Sequence, residues 1–436
     1  MANVYISFLG TNNYLPCTYF RDGEEFQNAR FVQEATVQLS CSEWTTDDRI
    51  VILTTNEAHQ KNWLDDGHRD KNGAPIECAG LRQCLIRLNL MPKLKEVHVP
   101  SGESEQQLWE IFQILYDQLG EGDHVIFDIT HAFRSIPMIA LVVLHYAKVL
   151  KNLELSKIYY GAFESLGSFQ EVSGMLPEKR RAPLFDLTPL YSLMDWSLAV
   201  DRFLGAGDAS PACELAGATT QPMLRAAEGR DEAASAINRV AGSLNAFSKV
   251  MATCRGCEIS KTAGRLKDDI DRCVHVGLLP PFRPLLAHIG SSLTSFTGND
   301  AIVDGVCAAR WCLDHNLIQQ GYTILREVLV SYVADCARAD LKDRRQRELA
   351  PQAASLFRKN MPEDEWTGDA SRDPALTHRY VNVYERQPAL VDLFSQLVEL
   401  RNDLDHAGFR KAPKRAAEFG TKLAKLIAMA EEVTKR

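Results

Sequence analysis

The first ~200 residues alternate short β-rich runs with stretches of helical periodicity, the pattern of an α/β domain built on a largely parallel sheet. Strand-like runs fall at residues 4–9, 50–54, 96–99, 124–129 and 157–160. The clearest helix spans 104–119, where Ser104 and Gln107 form a capping box ahead of Leu108, Ile111, Phe112 and Leu115 at helical spacing. Another begins near Ser135 and carries Ile139, Val142, Val143 and Tyr146. Residues 18–40, between the first strand and its expected helix, are strand-like and read as a hairpin insertion. From about Pro189 onward the β signal stops, and the rest of the chain consists of helical segments broken by Gly, Pro and polar stretches. The strongest runs over 306–337, with Leu317, Ile318, Ile324, Leu325, Val328, Leu329 and Tyr332 at helical spacing. Residues 351–374 read as a long polar loop before a final pair of helices. The expected architecture is an α/β Rossmann-like domain, residues 1–190, followed by an all-α domain, residues 191–436.

Composition narrows the class. With 45% hydrophobic and 24% charged residues the 436-residue chain has globular proportions, and no apolar run reaches the ~20 residues of a membrane span. The first ten residues lack a basic segment and a small-residue cleavage site, so they read as a first strand and a cytoplasmic location is expected. Eleven cysteines are an odd number, several in apolar stretches (Cys84, Cys307, Cys312, Cys336), where a thiol behaves as a small hydrophobe; no disulfides are expected. Cys254, Cys257, Cys273 and His275 offer four ligands for zinc, but a second Cys-x-x-Cys is missing and Cys273 lies too near His275. No metal site and no cofactor are therefore expected. A net charge of −8 excludes a broad positive field for gripping nucleic acid, so any RNA contact must be local. Candidates are Lys179, Arg180 and Arg181; Arg344, Arg345 and Arg347; and Arg410, Lys411, Lys414 and Arg415, with a solvated surface run the plainer reading of the first two groups.

Two segments carry candidate chemistry at strand ends, where open α/β sheets bind ligands. Gly10, Thr11, Asn12 and Asn13 follow the first strand. After the fourth come Asp128, Thr130, His131, Arg134 and Ser135, a dense set of hydrogen-bonding groups on one strand-to-helix turn. Such a turn suits a phosphate or nucleotide, although Asp128, Thr130 and Ser135 would also serve simply as caps. The Asp128-x-Thr130-His131 run, with Phe8, Leu9, Gly10 and Thr11, resembles the Asp-x-Thr-His-Gly signature of CRISPR-associated proteins with a CARF domain, and the likeness covers most of residues 1–190. It departs at Ala132, where the family has glycine. The resemblance implies a homodimer whose paired pocket binds a cyclic oligoadenylate activator, cyclic tetra-adenylate first among the candidates, through Gly10, Thr11, Asn12, Asp128, Thr130, His131, Arg134 and Ser135. One symmetric ring would then meet the same turn twice.

Helical domains on such sensors commonly resemble HEPN ribonucleases, whose motif is Arg, four to six residues, then His. The bare pattern is weak, since on the order of one or two chance matches are expected. Four pairs occur: Arg283 with His288, Arg310 with His315, Arg372 with His378, and Arg401 with His406. Arg283 is flanked by prolines and Arg372 lies in the polar stretch. Arg310 and His315 are the rival, on the long amphipathic helix. Arg401 is followed by Asn402, as in the common form of the motif. On a helix Asn402 and His406 share a face, whereas Arg401 lies about 140° round from His406, so a complete site needs both copies of a dimer. On spacing alone Arg401 and His406 also fit a polar face paired with Asp403 and Asp405. Joined to the N-terminal resemblance, the pattern implies a metal-independent endoribonuclease that cuts single-stranded RNA to 2′,3′-cyclic phosphate and 5′-hydroxyl ends, with Arg401, Asn402 and His406 catalytic. A non-catalytic ligand-sensing regulator, and a ring nuclease that degrades the activator in the N-terminal pocket, remain open alternatives.

Overall fold

The computed structural model describes residues 1–70, 72–131, 136–276 and 281–435. The chain divides into two compact units, Met1–Ser192 and Leu193–Arg436.

The first unit is organised on β1 (Asn3–Leu9), β2 (Cys17–Arg21), β3 (Glu24–Ala29), β4 (Arg49–Thr54), β5 (Lys93–His98), β6 (His124–Asp128), β7 (Glu154–Gly161) and β8 (Arg181–Asp186). These form one sheet in the order β3-β2-β8-β7-β6-β1-β4-β5. Strands β7, β6, β1, β4 and β5 are parallel, as expected of βαβ crossovers. Alternation along β1 explains why it is central. Tyr5 and Leu9 pack on one face with helices Val32–Cys41 and Leu81–Arg87. Val4, Ile6 and Phe8 pack on the other with helices Glu105–Asp117 and Ile136–Lys151. Both faces of such a strand are apolar, the mark of a sheet covered on both sides. The expected capping residue Ser104 accepts from Gln107 N at 3.3 Å, while the Gln107 side chain reaches one residue further back, to Glu103 N at 2.9 Å.

The 18–40 insertion resolves into two elements. Strands β2 and β3 form an antiparallel hairpin through Asp22 (φ 51°) and Gly23 (φ 89°), the left-handed pair that a two-residue turn requires. The helix Val32–Cys41 then occupies the remainder. Strand β8, which carries Pro183, is not among the expected strands; it runs antiparallel to β7 and parallel to β2, joining the hairpin to the main sheet.

The second unit is helical throughout its described residues and shares one apolar core. The single helix expected over 306–337 is two, Ala301–Asp314 and Ile318–Cys336. The break is at Asn316, which takes the left-handed conformation (φ 57°) that asparagine tolerates better than most residues. The two helices fold back on each other so closely that a Cβ at Gly305 would lie 2.2 Å from a Val328 methyl. The expected 351–374 loop is also corrected. Helix Arg344–Lys359 runs through Pro351 because Leu349, Ala350, Ala353 and Ala354 are buried on one face; a short helical turn, Asp369–Arg372, and helix Pro374–Arg386 follow. Helices Ala389–Asp405 and Ala416–Val433 close the bundle against Ile318–Cys336. No helix among the described residues is long and apolar enough to cross a membrane.

Candidate functional site

The parallel register sets Ser7 of β1 beside Asp128 of β6, so the segments that leave these strands emerge side by side. Asp128 is fully buried. One carboxylate oxygen accepts from the Tyr5 hydroxyl at 2.9 Å and the Thr36 hydroxyl at 3.2 Å. The other accepts from Thr130 N at 2.9 Å and Thr130 Oγ1 at 2.6 Å. Burial pushes the Asp128 carboxyl up, against these hydrogen bonds, which favour its charged form. The Asp128 side chain thereby holds the turn, with all four of these hydrogen bonds made inside the protein. Thr130 has a similar role, because its oxygen accepts from Gly161 N at 2.9 Å and so ties the turn to β7.

His131 is half-buried and its ring lies 4.1 Å from that of Tyr14. Burial pushes its imidazole down to about 3, so it is neutral at physiological pH, and among the described residues its Nε2 has no hydrogen-bond partner. Arg134, Ser135 and the departing Ala132 lie outside the described residues. From the first segment, Gly10 is buried, Thr11 half-buried and Asn12 exposed. Gly10 is required by close approach: a Cβ there would sit 2.1 Å from the Tyr14 hydroxyl and 3.4 Å from the His131 carbonyl oxygen. The structure therefore brings the 10–13 loop and the 128–131 turn into one cluster.

Three further residues complete it. Asn62 donates to the carbonyls of Gly10 and Asn12, each at 2.8 Å, and accepts from His68 Nε2 at 2.9 Å. Burial, with Arg30 and Lys61 adding like charge, pulls the His68 imidazole down. Arg30 donates to Ala79 O at 2.8 Å and to Tyr14 O at 3.3 Å, setting a half-buried guanidinium beside the loop. Neither Asn62 nor Arg30 sits in a recognisable motif; Tyr14 lies one residue beyond the segment singled out from the sequence.

In the helical unit Arg401 and Asn402 lie on the last turn of Ala389–Asp405, and His406 caps its end. His406 N donates to Asn402 O at 3.1 Å and Gly408 N to Asp403 O at 2.9 Å; the stop is made by Ala407 (φ 50°) and Gly408 (φ 75°). Asn402 and His406 are exposed. The Arg401 guanidinium is 3.3 Å from Asp405, and its buried Nε has no partner among the described residues. Asp403 turns inward and accepts from Lys414 N at 2.7 Å, anchoring the following loop. The rival pair is differently placed. Arg310 pairs with Glu431 at 3.0 Å, while His315 is buried, stacks on Trp311 at 3.7 Å and holds the Trp311 carbonyl at 2.7 Å. Burial pulls the His315 imidazole down, so it is a packing residue. Of the other pairs, His378 is bonded to Glu363 at 2.8 Å and Arg372 to Asp369 at 3.0 Å.

The basic runs also separate. Arg180 is buried, not solvated, and donates to the carbonyls of Val172, Ser173 and Met175; Arg181 pairs with Glu25 and Arg347 with Glu327. The run after His406 is led by Phe409, whose 91% exposure is exceptional for an aromatic residue. Cys84 and Cys312 are buried as expected, but Cys307 is half-buried and Cys336 exposed. Among the described residues the zinc candidates Cys254, Cys257, Cys273 and His275 do not converge; the group whose ligand atoms do is His59, Glu96 and His98.

Comparison with known proteins agrees with this geometry. Residues 4–164 match the CARF domain of the CRISPR system endoribonuclease Csx1. The CRISPR-associated protein MJ1674 of Methanocaldococcus jannaschii is 31% identical over 110 residues, which amount to 24% of this chain and 16% of that protein, so this chain spans only a small part of the relative's length. Residues 4–164 take in nearly all of β1 and the whole of β4, β5, β6 and β7, together with the 10–13 and 128–131 segments. Residues 4–164 are thus similar to the CARF domains of CRISPR-associated proteins.

Proposed function

We propose that this protein is an RNA-cutting enzyme switched on by a cyclic oligoadenylate seated at the 10–13 and 128–131 segments. The observation that carries the proposal is the match of residues 4–164 to the CARF domain of an endoribonuclease, which falls on the strand ends where Gly10, Thr11, Asn12, Thr130 and His131 gather. Neutral His131 and Tyr14 offer flat surfaces for an adenine, and Arg30 supplies a cation for a phosphate. A ring with twofold symmetry calls for two copies of the domain. Helices Glu105–Asp117 and Ile136–Lys151 carry Trp109, Met138, Val142, Tyr146 and Val149 at 47–72% exposure, an apolar patch of the sort that self-association buries.

The second copy also supplies what one protomer lacks for chemistry. One His406 imidazole takes the proton from a ribose 2′-hydroxyl as the 2′ oxygen bonds to phosphorus. The partner's His406, protonated, gives its proton to the departing 5′ oxygen. Arg401 of each copy holds the charge of the crowded phosphate, and Asn402 orients the group. The products are a 2′,3′-cyclic phosphate and a 5′-hydroxyl. Phe409 provides a face on which a single-stranded base can stack, with Arg410, Lys411 and Arg415 near the backbone.

Purified protein incubated with fluorescent single-stranded RNA and cyclic oligoadenylates of different size tests the reading. Cutting is expected only with a matching ring, and His406→Ala or Arg401→Ala should abolish it while calorimetric ring binding persists. Cutting that survives both substitutions would remove residues 401–406 from the active site. Loss of the ring without RNA cleavage would place the chemistry in the N-terminal unit instead.

A further inference from the structure

We infer that His59, Glu96 and His98 form a binding site for a divalent transition-metal ion, Zn²⁺ foremost. The three side chains offer two imidazole nitrogens and one carboxylate oxygen, all within 4.8 Å of one another. Glu96 and His98 are two apart on β5, so they leave the same face of the strand. His59 opens the π-helical turn His59–Trp63 that follows β4, the strand paired with β5. Its Nδ1 is 2.7 Å from Glu96 Oε1, and the two rings are 5.2 Å apart.

The donor set is the His₂-carboxylate combination that zinc accepts, with a fourth position open to solvent or to a ligand atom. Bonds of ~2.0–2.2 Å separate tetrahedral donors by roughly 3.3 Å, so the ligands need only small rotamer adjustments. The carboxylate is already oriented: the buried Thr54 hydroxyl donates to the same oxygen at 2.7 Å, the outer contact that metal carboxylates commonly have. His98, which pairs in register with Thr54, is exposed and can swing onto the ion. A π-helical turn at this point is itself uncommon in helices and tends to be retained where it serves a site.

Zn²⁺ titration of the metal-stripped full-length protein by calorimetry, and Co²⁺ titration followed by visible absorption, read the site without reference to RNA cutting. One equivalent per chain is expected. His98→Ala and His59→Ala should each weaken binding at least tenfold. Thr54→Val should weaken it by about tenfold or more by freeing the carboxylate, and Cys254→Ser with Cys257→Ser should leave it unchanged. His98 is exposed, so its variant keeps the fold, which far-ultraviolet circular dichroism verifies. Failure of the parent to retain one equivalent overturns the inference. So does affinity that survives both histidine substitutions.

Discussion

Replacing Asp128 by alanine removes the acceptor of four hydrogen bonds, and the structure separates what that costs from what it does to ligand. The Tyr5 and Thr36 hydroxyls lie 2.7 Å apart and keep each other as partners. Thr130 N and Oγ1 lose theirs. Each buried donor left unpaired costs ~1–3 kcal/mol, and Thr130 is half-buried, so the loss should be about 2–4 kcal/mol. For a unit of this size that lowers the melting temperature by roughly 4–15 °C. Asp128→Asn retains an oxygen for Thr130 and presents an amide to the hydroxyl oxygens of Tyr5 and Thr36; because burial already raises the carboxyl, the neutral amide should cost under about 1.5 kcal/mol. Thermal melts paired with calorimetry of cyclic tetra-adenylate check both. Alanine should lower stability and affinity together, and asparagine should restore both. An Asp128→Ala protein that melts within ~2 °C of the parent yet fails to bind the ring would refute the positioning role and return Asp128 to direct contact.

Acidification gives a second expectation. His131 is neutral in the folded chain down to about pH 3, whereas an unfolded histidine protonates near pH 6.5. The unfolded state therefore takes up a proton first as pH falls, and stability declines below that point by about 1.4 kcal/mol per unit, reaching about 2 kcal/mol at pH 5. Melts at pH 7 and pH 5 should show a smaller drop in His131→Asn than in the parent, and equal drops would count against a buried neutral ring. Ala407 holds a left-handed conformation beside His406; Ala407→Gly should raise stability by about 1 kcal/mol in urea unfolding, and a decrease would show that the alanine methyl makes packing contacts. The Arg401–Asp405 ion pair is an i,i+4 surface contact worth only about 0.3–0.5 kcal/mol. Asp405→Asn should therefore raise ring-activated RNA cutting with little change in melting temperature, and an unchanged activated rate would mean the pair does not restrain Arg401.

Hydrophobic periodicity made most of the front unit readable, because β1, β4 and β6 bury both faces and their side chains are largely apolar. Strand β8 was hidden for a physical reason: Pro183 and the charged ends Arg181 and Asp186 resemble a loop, and its pairing with β2 is a long-range choice. The same holds for Pro351, whose helix persists because alanines on one face are buried. Asn316 broke a continuous apolar stripe without interrupting the stripe itself. At the ligand cluster, Gly10, Thr130 and His131 stood out by local chemistry. Asn62 and Arg30 did not, since nothing in their immediate neighbours reveals that they reach across to another segment. For Arg401 and His406 the sequence supplied candidates by spacing, and burial then removed the rival His315.

Strand β8 has a consequence for how the chain comes off the ribosome. It is the last strand of its sheet to be made, yet it lies between the first hairpin and β7. Until residues 181–186 emerge, β2 and β7 each present a row of unanswered backbone groups, so the nascent front half stays sticky through most of its synthesis. A shortened chain ended at residue 164, where the recognised likeness stops, would keep those two open margins permanently. Residues 165–192 are therefore needed for a front half that can be handled apart from the helices.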